Sequence, residues 1–82
     1  MTARNNPQAV SVTPLKDYKL AIVFENNERR IFDVSPYIKG NWFGELADDN
    51  YFKTVRIAGE SVEWADGQDI CPDDLYEDSV AI

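Results

Sequence analysis

Tyr18, Leu20, Ile22 and Phe24 occupy every second position, with Lys19, Ala21, Val23 and Glu25 between them. A helix would scatter the first four around its circumference, whereas a β-strand puts them on one face. The run therefore predicts a strand with one buried side, and its other side is only partly polar. Asn26-Asn27 tolerates positive φ better than most dipeptides. It precedes a second alternating set, Arg30, Phe32 and Val34 against Arg29, Ile31 and Asp33. The two runs predict an antiparallel hairpin whose apolar face must be covered by the rest of the chain.

The remainder reads as short elements separated by turn residues. Val10 and Val12 alternate with polar or small neighbours until Pro14 stops the strand, and Lys16-Asp17 supplies a turn. Ser35-Pro36 is a helix start, and Tyr37, Ile38, Trp42, Phe43 and Leu46 recur at roughly helical spacing. Gly40 and Gly44 each cost about 1 kcal/mol in a helix interior, so the region is expected as one or two short segments broken near Gly40-Asn41. Ala47–Asn50 reads as a polar loop. Phe52, Val55 and Ile57, then Val62 and Trp64, mark two strands joined at Gly59-Glu60, and Asp66-Gly67 makes another tight turn. Gln68–Cys71 reads as a short strand, and Pro72–Tyr76 as one helical turn with acidic residues at its start.

The expected architecture is α+β: one small domain with a hairpin-rich antiparallel sheet of about five or six short strands and one helical region packed on it. The domain is expected over residues 8–76, after a flexible segment 1–7 and before an acidic, frayed tail 77–82. The expected core includes Val10, Val12, Leu20, Ile22, Phe24, Phe32, Val34, Phe43, Leu46, Phe52, Val55, Ile57, Val62, Trp64 and Leu75. Eighty-two residues suffice for one such domain but leave little room for a large internal cavity.

Charge is distributed unevenly. Residues 60–82 hold eight acidic residues and no basic one, while all eight basic residues lie before them. The formal charge of −7 repels phosphate backbones, which argues against direct nucleic-acid binding. An acidic C-terminal surface carrying Asp73, Asp74 and Glu77 can keep the domain soluble or dock a basic protein. One cysteine, no histidine and an opening without an apolar stretch predict a cytoplasmic chain with no disulfide framework, and no run approaches a bilayer span.

No metal or cofactor is expected. A zinc site needs more nitrogen and sulfur ligands than one cysteine provides, and the register around Asp66–Asp69 fails the EF-hand pattern. Histidine-based catalysis is excluded, and no Gly-rich phosphate loop occurs. Among fifteen acids, pairs at glycosidase spacing arise by chance, so the chain is read as non-enzymatic. Trp42 and Trp64 are expected as core anchors, and Cys71 as a buried, unreactive thiol beneath Trp64. Asp33 and Asp69 each end a strand before a proline turn, where a side-chain oxygen can accept unpaired backbone N–H groups. Alternatively, Asp33, Tyr37, Trp42 and Asp69 line a small-ligand groove between the helical region and the strand ends.

The segments Leu20–Phe24, Arg30–Val34, Phe52 with Val55, and Val62-Glu63-Trp64 followed by Asp69-Ile70-Cys71-Pro72-Asp73-Asp74-Leu75-Tyr76 together resemble the small bacterial family catalogued as domain of unknown function 2442. The resemblance spans roughly residues 8–76, and its most specific part is the ending from Trp64 to Tyr76. It implies a bacterial α+β domain with antiparallel strands, no established activity and no catalytic residues. Some members are joined to a helix-turn-helix domain or encoded in an apparent toxin–antitoxin arrangement. For this chain that implies an antitoxin-like or regulatory protein partner, with any DNA contact made by another chain. Homodimerisation through an exposed sheet edge is compatible with these readings.

Overall fold

The computed structural model describes residues 6–82. The alternating run forms β2 (Lys19–Phe24), flanked antiparallel by β1 (Ala9–Leu15) and β3 (Arg29–Asp33). A short β6 (Val80–Ala81) pairs with β3, giving the order β1-β2-β3-β6. β4 (Arg56–Ala58) and β5 (Ser61–Glu63) make a separate antiparallel pair. Two short helices, α1 (Asp49–Phe52) and α2 (Pro72–Glu77), and three 3-10 turns complete the described residues. The fold is α+β and dominated by its sheets, as the pattern predicts.

Leu20, Ile22 and Phe24 of β2 and Phe32 of β3 are buried on one face of the larger sheet, with Val34 just beyond. No long helix covers them. The cover is assembled from Leu46, Phe52, Val62, Trp64, Ile70 and Leu75, contributed by a 3-10 turn, both helices, β5 and the intervening loop. Full burial of side chains this size stabilises by about 1.5–3 kcal/mol each, so these contacts hold the short pieces in place.

Several expectations are corrected. Val10 is 54% exposed rather than core, because a bulge between Ala9 and Ser11 shifts the alternation and turns Ala9 inward instead. Val12, Phe43, Val55 and Ile57 are only partly buried, packing against the core from outside. β1 continues through Pro14, which an edge strand tolerates because the missing N–H need not face a partner. The region 35–47 does break at Gly40, whose φ is +76°, but its pieces Ser35–Tyr37 and Phe43–Ala47 are 3-10 turns. The expected loop and strand near Phe52 are instead α1, capped by the Asp48 side chain on the Asn50 N–H at 2.9 Å. Gln68–Cys71 forms only an isolated bridge between Glu63 and Asp69.

The tail 77–82 is part of the fold, whereas positions 1–5 of the expected flexible segment lie outside the described residues. Arg30 explains the ordered tail. Its Nε donates to Ser79 Oγ at 2.6 Å, its Nη2 donates to the Ser79 carbonyl at 2.8 Å, and its guanidinium lies 4.5 Å from the Tyr76 ring centroid. Glu28 closes the cluster by accepting from Tyr76 Oη at 2.6 Å, Asn26 Nδ2 at 2.7 Å and Arg30 Nη1 at 3.1 Å. The hairpin loop is thereby tied to α2 and to β6.

The Tyr76 hydroxyl, then Asn26 and Arg30, hold the Glu28 carboxyl below its ordinary value of 4.5. An unfolded chain takes up that proton first as pH falls. The stabilisation from Glu28 is therefore complete above the ordinary value and is lost as pH drops through the lower folded value. Urea melts between about pH 5 and pH 3 should show a smaller acid loss of stability for Glu28→Gln than for the wild type. Equal losses in the two proteins would contradict this role.

Candidate functional site

Among the described residues Gln68 is the one large polar side chain with no solvent exposure, and its surroundings define the candidate site. Gly67, at φ +96°, closes a tight turn in which the Gly67 N–H donates to the Trp64 carbonyl and the Trp64 N–H to the Gln68 carbonyl. This turn drives the Gln68 side chain into the gap between the Trp42–Ala47 segment and α1. There Nε2 donates to the Trp42 carbonyl at 2.8 Å and to Glu45 Oε1 at 2.9 Å, while Oε1 accepts from Tyr51 Oη at 2.7 Å. Tyr51 Oη in turn accepts the Asp66 N–H at 2.8 Å. One amide thus registers three segments, and no described buried side-chain polar atom lacks a partner.

Outside this network lies a pocket of about 300 Å³ lined by Glu45, Asp48, Tyr51 and Asp66. Three of its four lining residues are carboxylates, and the described residues place no basic side chain on its wall. Trp42 stands beside it, 51% exposed, its ring centroid 5.4 Å from that of Phe43 in a T-shaped pair and its benzo side over the Gly67 turn. The pocket therefore offers negative charge to a cationic group, with Tyr51 on its wall and the half-exposed Trp42 near its Asp66 side. Among the described residues no three His, Cys, Asp or Glu side chains gather closely enough to hold a metal ion. No helix is long and apolar enough to cross a membrane.

The residues predicted from sequence take different local roles. Asp33 ends β3, accepts the Ser35 N–H at 3.0 Å, and is held below the ordinary aspartate range by Ser35 and more weakly by Lys19. Its expected capping role is thus present. Tyr37 packs on Phe32 at 5.7 Å, and burial, followed by the charges of Asp74 and Asp78, pushes its phenol upward. Tyr37 and Asp74 therefore share a surface. Asp73 and Glu77 both receive Asn6 Nδ2, at 3.3 and 3.0 Å, elsewhere on α2. Asp69 is exposed, and its side chain makes no hydrogen bond among the described residues, so the expected cap at Cys71-Pro72 is not formed. Neither described pocket includes Asp33, Tyr37, Trp42 or Asp69.

Two further expectations change. Trp64 is a core anchor with its Nε1 donating to the Phe52 carbonyl at 2.9 Å, but Trp42 is half in solvent. Cys71 is exposed rather than buried under Trp64, since the extended backbone before Pro72 turns Ile70 inward and Cys71 outward. Gln68, Tyr51, Glu45, Asp48 and Asp66 were not anticipated as a group. The one available signal was a glutamine immediately after an Asp-Gly turn, and its depth depends on tertiary contacts.

Fold and site together describe a small sheet-dominated α+β domain with an acidic, aromatic-flanked pocket. Residues 9–81 match the family described as "Protein of unknown function (DUF2442)", and the chain belongs to that family. No curated protein and no solved structure matches it.

Because Gln68 is buried with three hydrogen bonds and Asp69 is exposed with none from its side chain, the neighbours should respond oppositely to truncation. Gln68→Ala is expected to cost about 1–3 kcal/mol, as it orphans Tyr51, Glu45 and the Trp42 carbonyl. Asp69→Ala should stay within roughly ±0.5 kcal/mol. Denaturant midpoints measure both.

Proposed function

We propose that this chain is a non-enzymatic protein-interaction module of a bacterial cytoplasm, antitoxin-like or regulatory in role, that engages a basic partner. The observation that carries the proposal is the acidic pocket beside Trp42. Its volume is at the lower end of ligand sites, and its carboxylate lining suits a lysine or arginine end group. A partially exposed tryptophan beside it can add cation–π attraction and is the residue type that most often anchors protein interfaces.

The acidic C-terminal third supplies the long-range part. Asp66, Asp69, Asp74, Glu77 and Asp78 have no ion pair among the described residues, whereas Glu63 is held by Arg56 at 2.6 Å. Unneutralised charge of one sign raises the encounter rate with a basic partner and makes it salt-sensitive. Asp73, Asp74 and Glu77 on α2 act in this reading as steering charges, with Glu45, Asp48 and Asp66 as the contact set.

A titration of isotope-labelled protein with a lysine- and arginine-rich peptide tests the proposal by NMR. Amide shifts should concentrate at Trp42, Tyr51 and Asp66, and Asp66→Asn should weaken binding by about 1–2 kcal/mol, the scale of a hydrogen bond to a charged group. Reversing Asp73, Asp74 and Glu77 to lysine should instead slow association and flatten its salt dependence. No shift at the pocket at millimolar peptide would refute the assignment. The alternative, a small-ligand site, predicts that free arginine binds as well as the peptide. Shifts then confined to Asp33, Tyr37 and Asp69 would favour the groove expected from sequence.

A further inference from the structure

Among the described residues, no core side chain covers the side of the larger sheet that faces away from the core. Direct pairing of Thr13 with Ala21, Ala21 with Ile31 and Ile31 with Val80 lays one row across all four strands on that side. None of the four belongs to the core or packs against it, and Val80 is 69% exposed. An antiparallel sheet open to water usually alternates to polar residues on its outer face, so the apolar part of this row, Ala21, Ile31 and Val80, calls for a cover.

Charge indicates which cover fits. Along the outward side of β3 the order is Arg29, Ile31, Asp33, a cation and an anion placed symmetrically about an apolar centre. The Arg29 side chain is exposed and has no hydrogen bond or ion pair among the described residues. A carboxylate such as Asp33 keeps acceptor capacity beyond its bond to the Ser35 N–H. A twofold axis lying between two facing sheets, perpendicular to β3 and passing over Ile31, reverses the strand. It therefore sets Arg29 of each copy over Asp33 of the other, twice. Facing sheets pack about 10 Å apart, a gap that an extended arginine closes to a carboxylate. A partner of one charge sign would leave either Arg29 or Asp33 opposed by its own sign, whereas a second copy matches both and sets Lys19, the neighbour of Asp33 on β2, over Val23 of the other copy.

We propose that this face docks a second copy of the chain, sheet on sheet, across a twofold axis over Ile31. Such an isologous contact closes on itself and does not propagate. Four strands about 4.8 Å apart, read over five residues of about 3.3 Å, outline roughly 300 Å² per copy. Stable interfaces use about 800 Å² per partner, so the dimer is weak and concentration-dependent. α2, which carries Asp73, Asp74 and Glu77, sends Leu75 into the core from the opposite side, and the dimer leaves it open to another partner.

Sedimentation equilibrium of the full chain at about 0.15 M salt, where charges beyond about 8 Å are screened, tests the proposal. A reversible monomer–dimer equilibrium is expected, with a dissociation constant between about 10 μM and 1 mM. Ile31→Lys should weaken it by at least about tenfold, and Arg29→Asp by a similar factor. Combining Arg29→Asp with Asp33→Arg restores opposite charges across the axis and should return the constant to within about threefold of wild type. Near-UV circular dichroism from buried Trp64 checks that each variant is folded. A chain monomeric at about 1 mM overturns the proposal. So does a dimer indifferent to Ile31→Lys, as edge pairing through β1 would produce, and so does a folded double variant no tighter than Arg29→Asp alone.

Discussion

The indole of Trp64 has no solvent contact, and everything that covers the sheet is positioned relative to it. Its N–H has one acceptor, the Phe52 carbonyl at the end of α1, and its ring lies 5.9 Å from the Phe52 ring. Phe52 in turn receives the edge of Tyr18 at 5.5 Å, and the Tyr18 hydroxyl donates to the Ala47 carbonyl at 2.6 Å. One chain of aromatic contacts thus runs from β5 through α1 to the turn joining β1 and β2. A four-residue helix has almost no stability of its own, because nucleation costs more than one turn returns. α1 exists because Trp64 and Tyr18 hold Phe52 between them. The same contacts account for Tyr18 at φ +61°, an unfavourable conformation for a bulky residue that persists only where packing fixes it.

What was legible in the sequence follows from this division. The period-two runs at Tyr18–Phe24 and Arg30–Val34 gave β2, β3 and their inward faces, since alternation is a local property and the register agrees with it. Gly40, Gly59, Gly67 and Asn27 mark turns, and all four have the positive φ their residue types allow. The bulge that turns Val10 outward has no local signature, because Ala9, Val10 and Val12 all suit a strand. α1 was hidden for the complementary reason: Phe52, Val55 and Ile57 alternate loosely enough to read as one strand, and only the Trp64 contact decides against it. The tail was misjudged because Val80 and Ile82 lack a strand-length pattern, while the anchor that orders them is Arg30, far away in sequence.

The candidate site shows the same limit more sharply. Asp33 was legible because its hydrogen bond reaches two residues along the chain, to Ser35. Asp69 stands three positions before its proline, as Asp33 does, but the N–H beside it is used elsewhere: the Ile70 N–H goes to the Val62 carbonyl at 3.3 Å. Gln68, next to it, joins residues 17 to 26 positions away. An amide committed that deeply specifies how the segments meet, since a half-satisfied buried network is worse than an apolar filling. The pocket is a by-product of that commitment, as Glu45 and Tyr51 are held by Gln68 on its wall.

A sheet of this size has two faces, but the described residues supply apolar cover for only one. Each covering element is short and spends its large side chains inward, so nothing of comparable size is left for the other side. Among the described residues the outward positions of β2 and β3 are then free to serve either solubility or contact, and their composition separates the two. Solubility would be met by charge at every outward position, as Lys19, Arg29 and Asp33 illustrate at the ends of the strands. Ala21 and Ile31 occupy the middle instead, where removal from water is most complete when another surface approaches. An apolar centre bounded by charges of both signs is the arrangement of a small contact surface, with the charges fixing orientation and the centre supplying the attraction.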